Sequence, residues 1–242
     1  MTTVRKAVIP VAGLGTRVLP ASKAIPKEMM PVVDKPVIQH VVEEAVRAGI
    51  KEIVLVTRNG KSAIEDHFDK HFELEQSLER KNKTAILESI RNIVPKDVTI
   101  LSVRQPDALG LGHAVFCAAQ AVNNEAFAVI LPDVLVNNHE QCENDLEKMV
   151  KAFDQHNAAQ IMVESVPQDK VHLYGIADCK GAKPSAGESV AISGMVEKPS
   201  AEEAPSDLSV VGRYILPARV MTLLADTQPG AGGEIQLTDA LD

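Results

Sequence analysis

No glycine in this chain is followed at a four-residue gap by Gly-Lys-Ser/Thr, and the loop after the first apolar run lacks the third glycine of a dinucleotide fingerprint, position 18 being Val18. Those absences exclude a P-loop and the nicotinamide oxidoreductases that use the fingerprint. No apolar run reaches the ~18 residues that span a bilayer. Met1-Thr2-Thr3-Val4-Arg5-Lys6 holds no apolar signal core, so the expectation is a cytoplasmic protein with no membrane partner. Cysteine is scarce: Cys117, Cys142 and Cys179 stand too far apart for a metal knuckle or a Cys-x-x-Cys pair, and their odd number predicts ordinary reduced thiols. Net positive charge is missing as well. The 25 Lys and Arg against 33 Asp and Glu give -8, which argues against a nucleic-acid binder.

What the chain does have is concentrated at its start. Val8-Ile9-Pro10-Val11 reads as a buried strand, and Ala12-Gly13-Leu14-Gly15-Thr16-Arg17 follows as a glycine loop. Gly13 and Gly15 are expected to take positive φ and bring bare N–H groups against anionic oxygens. Arg17, Lys23 and Lys27 add full charges. Residues 1–35 hold six cations (Arg5, Lys6, Arg17, Lys23, Lys27, Lys35) against two anions (Glu28, Asp34), so this segment is +4 and the remainder -12. A local basic site on an acidic body suits a small anionic ligand better than a long phosphate backbone. The loop alone also fits a plain strand-to-helix turn.

Helix and strand signals then alternate, predicting an α/β domain with a largely parallel sheet. Helices are expected over 36–48, 112–122 and 144–156, with two or three more within 61–93 ended by Pro95. Strands are expected over 52–57, 98–103, 126–131, 160–166, 175–179, 191–196 and 210–216, the last ones as antiparallel additions. Loops rich in Pro, Ser, Gly and Ala are placed at 181–189 and 199–207. Asp133 closes an apolar strand, where carboxyl ends of strands gather ligands and an aspartate can reach a metal ion. His67 and His71 have the spacing of a ligand pair on one helix. They lack a Glu partner in the pattern, and Asp66, Asp69 and Lys70 predict a wet face instead.

Five blocks occur in one order: Ala12–Arg17 with Pro26-Lys27-Glu28-Met29; Arg104-Gln105 with Gly110-Leu111-Gly112-His113-Ala114; Leu131-Pro132-Asp133; Val196-Glu197-Lys198-Pro199; and Gly233-Glu234-Ile235-Gln236-Leu237-Thr238-Asp239. In these blocks the chain resembles the bacterial UTP:glucose-1-phosphate uridylyltransferases of the sugar nucleotidyltransferase superfamily, along essentially its whole length. The resemblance implies a Rossmann-like mixed sheet, mostly parallel and flanked by helices, with added antiparallel strands. It implies UTP and glucose 1-phosphate as substrates and Mg2+ as cofactor. Arg17, Lys27 and Lys198 are implied as catalytic cations, with Ala12, Gly13, Gly15, Gln105 and Gly110 at the nucleotide. Gln105 would read uracil, since an amide carries both a donor and an acceptor, and Gly110 would let the backbone approach the ring. Gly175, Glu197 and Lys198 would hold the sugar phosphate, and Asp133 and Asp239 the metal.

Neighbouring side chains on a strand point to opposite faces, so Glu197 and Lys198 can serve one ligand only at a strand end or a bulge, and Pro199 suits an ending. For Asp239 a helix-start role beside Thr238 explains the residue equally well. Two other readings stay open at this point. A noncatalytic regulatory paralogue would depart at Thr16-Arg17, which this sequence keeps; a thymidylyltransferase is disfavoured by the 61–93 excursion and Gly-Leu-Gly-His. Relatives continue past the Leu-Thr-Asp block with further helices and a closing strand, so one nucleotidyltransferase domain, 1–242, without that segment is expected. The resemblance implies a homo-oligomer, dimer or tetramer.

Overall fold

The computed structural model describes residues 3–136, 143–230 and 233–241. Cys142 lies outside them.

Strand β1 (Lys6–Pro10) is buried on both faces, as its continuous apolar run dictates, and so becomes the centre of a sheet. It pairs in parallel with β4 (Glu52–Thr57) on one side and β6 (Phe127–Ile130) on the other. Beyond β4 lies β5 (Thr99–Arg104), again parallel. Beyond β6 the sheet turns antiparallel with β10 (Leu208–Leu216), which pairs with β7 (Gln160–Ser165) and β8 (Gly175–Asp178); β9 (Gly194–Glu197) closes that side against β8. The order is β5-β4-β1-β6-β10-β8-β9, with β7 on β10. A short hairpin of β2 (Pro31–Val32) and β3 (Lys35–Pro36) stands apart.

Alternate residues of the strands feed two cores. Ala7, Ile9, Ile53, Leu55, Ala128 and Ile130 face α1 (Val37–Arg47) and α7 (Asp145–His156). Val8, Val54, Val56, Phe127 and Val129 face α5 (Leu111–Cys117), α6 (Ala119–Val122), α8 (Val220–Asp226) and α9 (Leu237–Leu241). Burying both sheet faces under helices is what makes a parallel sheet stable. The 61–93 excursion is three helices, α2 (Ser62–Phe68), α3 (Phe72–Arg80) and α4 (Thr84–Arg91).

The expected helix 112–122 is two, because Ala118 adopts φ -86° and ψ 0° and ends α5 before α6 begins. The glycine loop does not enter a helix directly. It passes through 3-10 turns at Thr16–Val18, Ala21–Lys23 and Lys27–Met29 before α1. The strand expected over 191–196 forms only from Gly194, with Ser193 beside it donating its N–H across to Asp178 O at 2.8 Å. Among the described residues no helix is long and apolar enough to cross a membrane.

Candidate active site

From β1 the chain runs through α1 to β4 and β5 on one side, then returns to β6 on the other, so the loops after β1 and β6 part at a topological switch point. In open α/β sheets such a parting leaves a crevice for ligands. The glycine loop lines it. Val11 N donates to Val56 O at 2.9 Å, which carries the strand pairing into the loop, and Ala12 is buried. Gly15 takes φ +70°, and its carbonyl accepts from Ser22 Oγ at 2.7 Å. A Cβ on Gly15 would approach Ser22 Cβ to 3.2 Å, so both φ and packing call for glycine. The expectation of positive φ at Gly13 is not met. A side chain there would meet nothing within 4 Å, so neither conformation nor packing within the chain demands glycine, and the loop surface is left clear.

Lys27 follows in the third 3-10 turn, and its Nζ lies 2.7 Å from Asp133 Oδ2 in the loop after β6. Its neighbour Glu28 is 1% exposed and receives Lys61 Nζ at 2.8 Å, which ties the turn to the start of α2. Glu28 Oε1 is buried without a partner. Arg17 and Lys23 are exposed, and among the described residues their side chains make no hydrogen bond or ion pair. Lys35 pairs with Glu43 at 2.8 Å, a local surface contact away from the loop.

The Asp133 segment is held from beneath by Arg213, which is fully buried. Its Nε and Nη2 donate to the two carboxylate oxygens of Glu44 at 2.9 and 2.8 Å. Nη1 donates to Leu131 O at 3.1 Å and Gly212 O at 3.3 Å, and Nη2 also donates to Val134 O at 2.8 Å. All five donors of the guanidinium are therefore matched. Two of the acceptors, Leu131 and Val134, flank Pro132-Asp133. Gly212 takes φ +77°, and a Cβ there would come within 2.9 Å of the Leu131 side chain, so strand and loop close tightly.

Gln105 sits at the end of β5, its N–H bonded to Thr57 O at 2.8 Å, and is 8% exposed. Its amide Nε2 lies 3.2 Å from Gly110 O and 3.1 Å from His113 Nδ1. Gly110 has φ +99°, and a Cβ on it would meet Ile235 O at 2.7 Å and Glu234 Cβ at 2.9 Å. Within the chain, the close neighbour that requires glycine here is thus the 234–235 segment. Gly112 N donates to Ile235 O at 2.8 Å and Ile235 N to Leu109 O at 2.7 Å, so two of the five sequence blocks pack directly together.

Gly175 pairs with Glu197 across β8 and β9. A Cβ on Gly175 would meet Glu197 Oε2 at 3.0 Å and Thr238 Cγ2 at 3.4 Å, and Thr238 Oγ1 donates to Glu197 Oε2 at 3.4 Å. The strand ends at Glu197, and Lys198 turns into the left-handed region at φ 48° while its N–H bonds Tyr174 O at 2.9 Å. That turn defeats the strand's alternation. Lys198 Nζ reaches 3.4 Å from Glu197 Oε1, and both charges share one side. Burial, and then the Glu197 carboxylate, push the Tyr214 phenol well above its ordinary value.

Asp239 is exposed in the first turn of α9, its Oδ2 against Gly230. The helix begins at Leu237, so Asp239 does not start it; an anion in the first turn still favours the helix dipole. Among the described residues no group of three or more His, Cys, Asp or Glu is placed to hold a metal. The two histidines expected on one helix do not share one, because α2 ends at Phe68 and His71 stands just before α3, and both are occupied elsewhere. His71 Nδ1 caps α3 by accepting from Leu74 N, and His67 Nε2 meets Gln39 Oε1 at 3.0 Å.

A model of the nucleotidyl transferase family matches residues 6–242. The chain belongs to the nucleotidyl transferase family. Within the family it is 58% identical over 239 residues to the UTP–glucose-1-phosphate uridylyltransferase of Haemophilus influenzae, covering 98% of this chain and 81% of that one. It is 56% identical over 243 residues to the enzyme of the same name from Escherichia coli K12, covering 100% and 80%. The UTP-bound UGPase from Acinetobacter baumannii superposes with a TM-score of 0.92 at 55% identity, covering 98% of this chain and 81% of the other. A UDP-glucose pyrophosphorylase complexed with UDP-glucose superposes at 0.86 with 40% identity, covering 98% and 85%.

Arg213, Glu44 and Tyr214 were not singled out from sequence, and Thr238 was named only in its block and beside Asp239 at a helix start. Arg213 lies inside the largely apolar strand β10, Leu208–Leu216, and a charge there is the one signal that could have marked it: a buried cation demands a partner.

Proposed function

We propose that this chain transfers the uridylyl group of UTP to glucose 1-phosphate, giving UDP-glucose and pyrophosphate. The observation that carries the reading is the order of the site residues across the sheet. Gln105 lies at β5, the glycine loop and Lys27 at β1, Asp133 at β6, and Gly175 with Glu197 and Lys198 at β8 and β9. With strands about 5 Å apart, that order supports reading Gln105, the glycine loop and the Glu197–Lys198 pair as base, phosphate and sugar subsites, since UDP-glucose connects base, diphosphate and hexose in the same order.

Oε1 of Gln105 accepts from the uracil N3–H. The loop N–H groups, Arg17 and Lys27 receive the β- and γ-phosphates, and the free Arg17 guanidinium suits a bidentate grip on the departing pyrophosphate. Glu197 accepts hydrogen bonds from sugar hydroxyls, and Lys198 meets the sugar phosphate. A phosphate oxygen of glucose 1-phosphate attacks the α-phosphorus in line; the new P–O bond forms as the bond to the β-phosphate breaks. The nucleophile is already anionic and needs no base. Catalysis is positioning plus charge neutralisation.

A divalent ion fits the donor set at Asp133, because Mg2+ prefers one or two carboxylates plus phosphate oxygens and water to a cage of protein ligands. Asp133 would hold it, with Asp239 as the second carboxylate, and its chemistry would be to neutralise charge on the phosphates of bound nucleotide. The reading is tested by assaying pyrophosphate release from purified chain with glucose 1-phosphate and UTP, dTTP or no nucleotide. Turnover with UTP above dTTP supports it. Nucleotide binding without turnover points to a regulatory paralogue, and a preference for dTTP to a thymidylyltransferase.

A further inference from the structure

Gln105 reaches the site with both hydrogens of its amide nitrogen engaged, one toward Gly110 O at 3.2 Å and one toward His113 Nδ1 at 3.1 Å. A backbone carbonyl only accepts, so the atom that faces Gly110 O in this structure is the amide nitrogen. The nitrogen has only hydrogens to offer, so His113 Nδ1 must be the bare ring nitrogen. The imidazole then carries its hydrogen on Nε2, which lies 3.8 Å from Cys117 Sγ. Burial pushes the Cys117 thiol up, so the sulfur stays uncharged and accepts that hydrogen. Gln105 Oε1 accepts no hydrogen bond among the described residues and is not a sealed orphan in the core.

We propose that His113 is a positioning residue for base selection: by accepting the second amide hydrogen of Gln105, it holds Oε1 as the one atom of that side chain left to face the base. The inference rests on Gln105 being the base reader. An oxygen so held accepts from the N3–H of uracil. It opposes cytosine, whose N3 carries a lone pair, and so selects UTP against CTP by repulsion as well as attraction. Gly110 O alone would restrain one hydrogen and leave the amide free to present its nitrogen instead. Thymine shares the N3–H edge, so this device does not separate UTP from dTTP.

The test compares His113→Leu, His113→Asn and Gln105→Ala by kcat/KM with UTP and with CTP, at saturating glucose 1-phosphate, and by KM for each substrate. Leu removes the acceptor. Asn restores one, because its Oδ1 is bonded to Cγ as Nδ1 is. The expected result is a UTP:CTP ratio about tenfold lower in His113→Leu, the scale of one hydrogen bond, with KM for glucose 1-phosphate unmoved and the ratio recovered in His113→Asn. A wild-type ratio in His113→Leu, beside a lowered ratio in Gln105→Ala, overturns the role of His113 and leaves Gln105 as the reader. An equal fall for UTP and CTP, or an Asn variant no better than Leu, also overturns it. A wild-type ratio in Gln105→Ala overturns the base-reader assignment itself.

Discussion

The ammonium of Lys27 lies 2.7 Å from Oδ2 of Asp133, joining the segment after β1 to the loop after β6 across the switch point. A cation implied for the phosphates and a carboxylate implied for the metal thus neutralise one another without ligand. Both remain partly open to solvent, with side-chain exposures of 21% and 42%. The pair balances the charge of the two loops where they face each other across the crevice.

Asp133→Asn keeps the shape and removes the charge. Turnover is predicted to fall by roughly 10²–10³-fold, the scale for losing a preorganised electrostatic group. The unfolding midpoint should hardly move, because an exposed pair contributes only about 0–1 kcal/mol. Steady-state kinetics beside a thermal melt checks both; a large loss of stability with normal turnover would contradict the assignment.

Lys198 should divide into a backbone part and a charge part. Its φ of 48° is one that glycine adopts without strain. Lys198→Gly should therefore preserve the turn and still lose about 10²-fold or more in UDP-glucose formation, as Lys198→Ala should. Glu197→Gln should raise KM for glucose 1-phosphate with KM for UTP little changed. Full activity in Lys198→Gly would show that only the turn matters.

Arg213 and Glu44 should behave as one unit. Arg213→Met leaves a buried carboxylate unpaired and is predicted to cost about 3–5 kcal/mol in denaturant unfolding. The double variant Arg213→Met/Glu44→Leu should recover most of that loss, since a buried pair and its apolar replacement are close in stability. Leu131 O and Val134 O would still lack their donor. Turnover in the double variant is therefore expected to stay low while stability returns. Recovery of both would separate the clamp from the function of Asp133.

Acid sensitivity should include a term from His67. Burial lowers its pKa from the ordinary 6.5, so the folded state binds its proton less readily than the unfolded chain. The sign follows from linkage: this contribution is complete above about 6.5 and is lost as pH falls toward the folded value. His67→Gln should flatten the dependence of the unfolding midpoint between about pH 7 and 5 relative to the parent. An unchanged slope would remove His67 from the explanation.

Much of this site was legible because its chemistry is carried by local patterns. The strand at 52–57, the glycine at 15 and the strand-ending pair at 197–198 each follow from rules that act over a few residues. Long-range contacts were not legible. Nothing local says that Gly110 is shaped by Ile235, that Arg213 finds Glu44 across 169 positions, or that Thr238 meets Glu197. Gly13 shows the opposite error: a glycine expected to serve backbone conformation instead leaves open space.

The account's central claim is that one ligand lies along the carboxyl edge of the sheet from β5 to β9. A crystal structure of this chain with UDP-glucose tests it most directly. The predicted density has uracil within hydrogen-bond reach of Gln105 Oε1, the diphosphate between the glycine loop and Lys198, and glucose against Gly175 and Glu197. Uracil away from Gln105, or a hexose with neither Glu197 nor Gly175 beside it, would contradict the account.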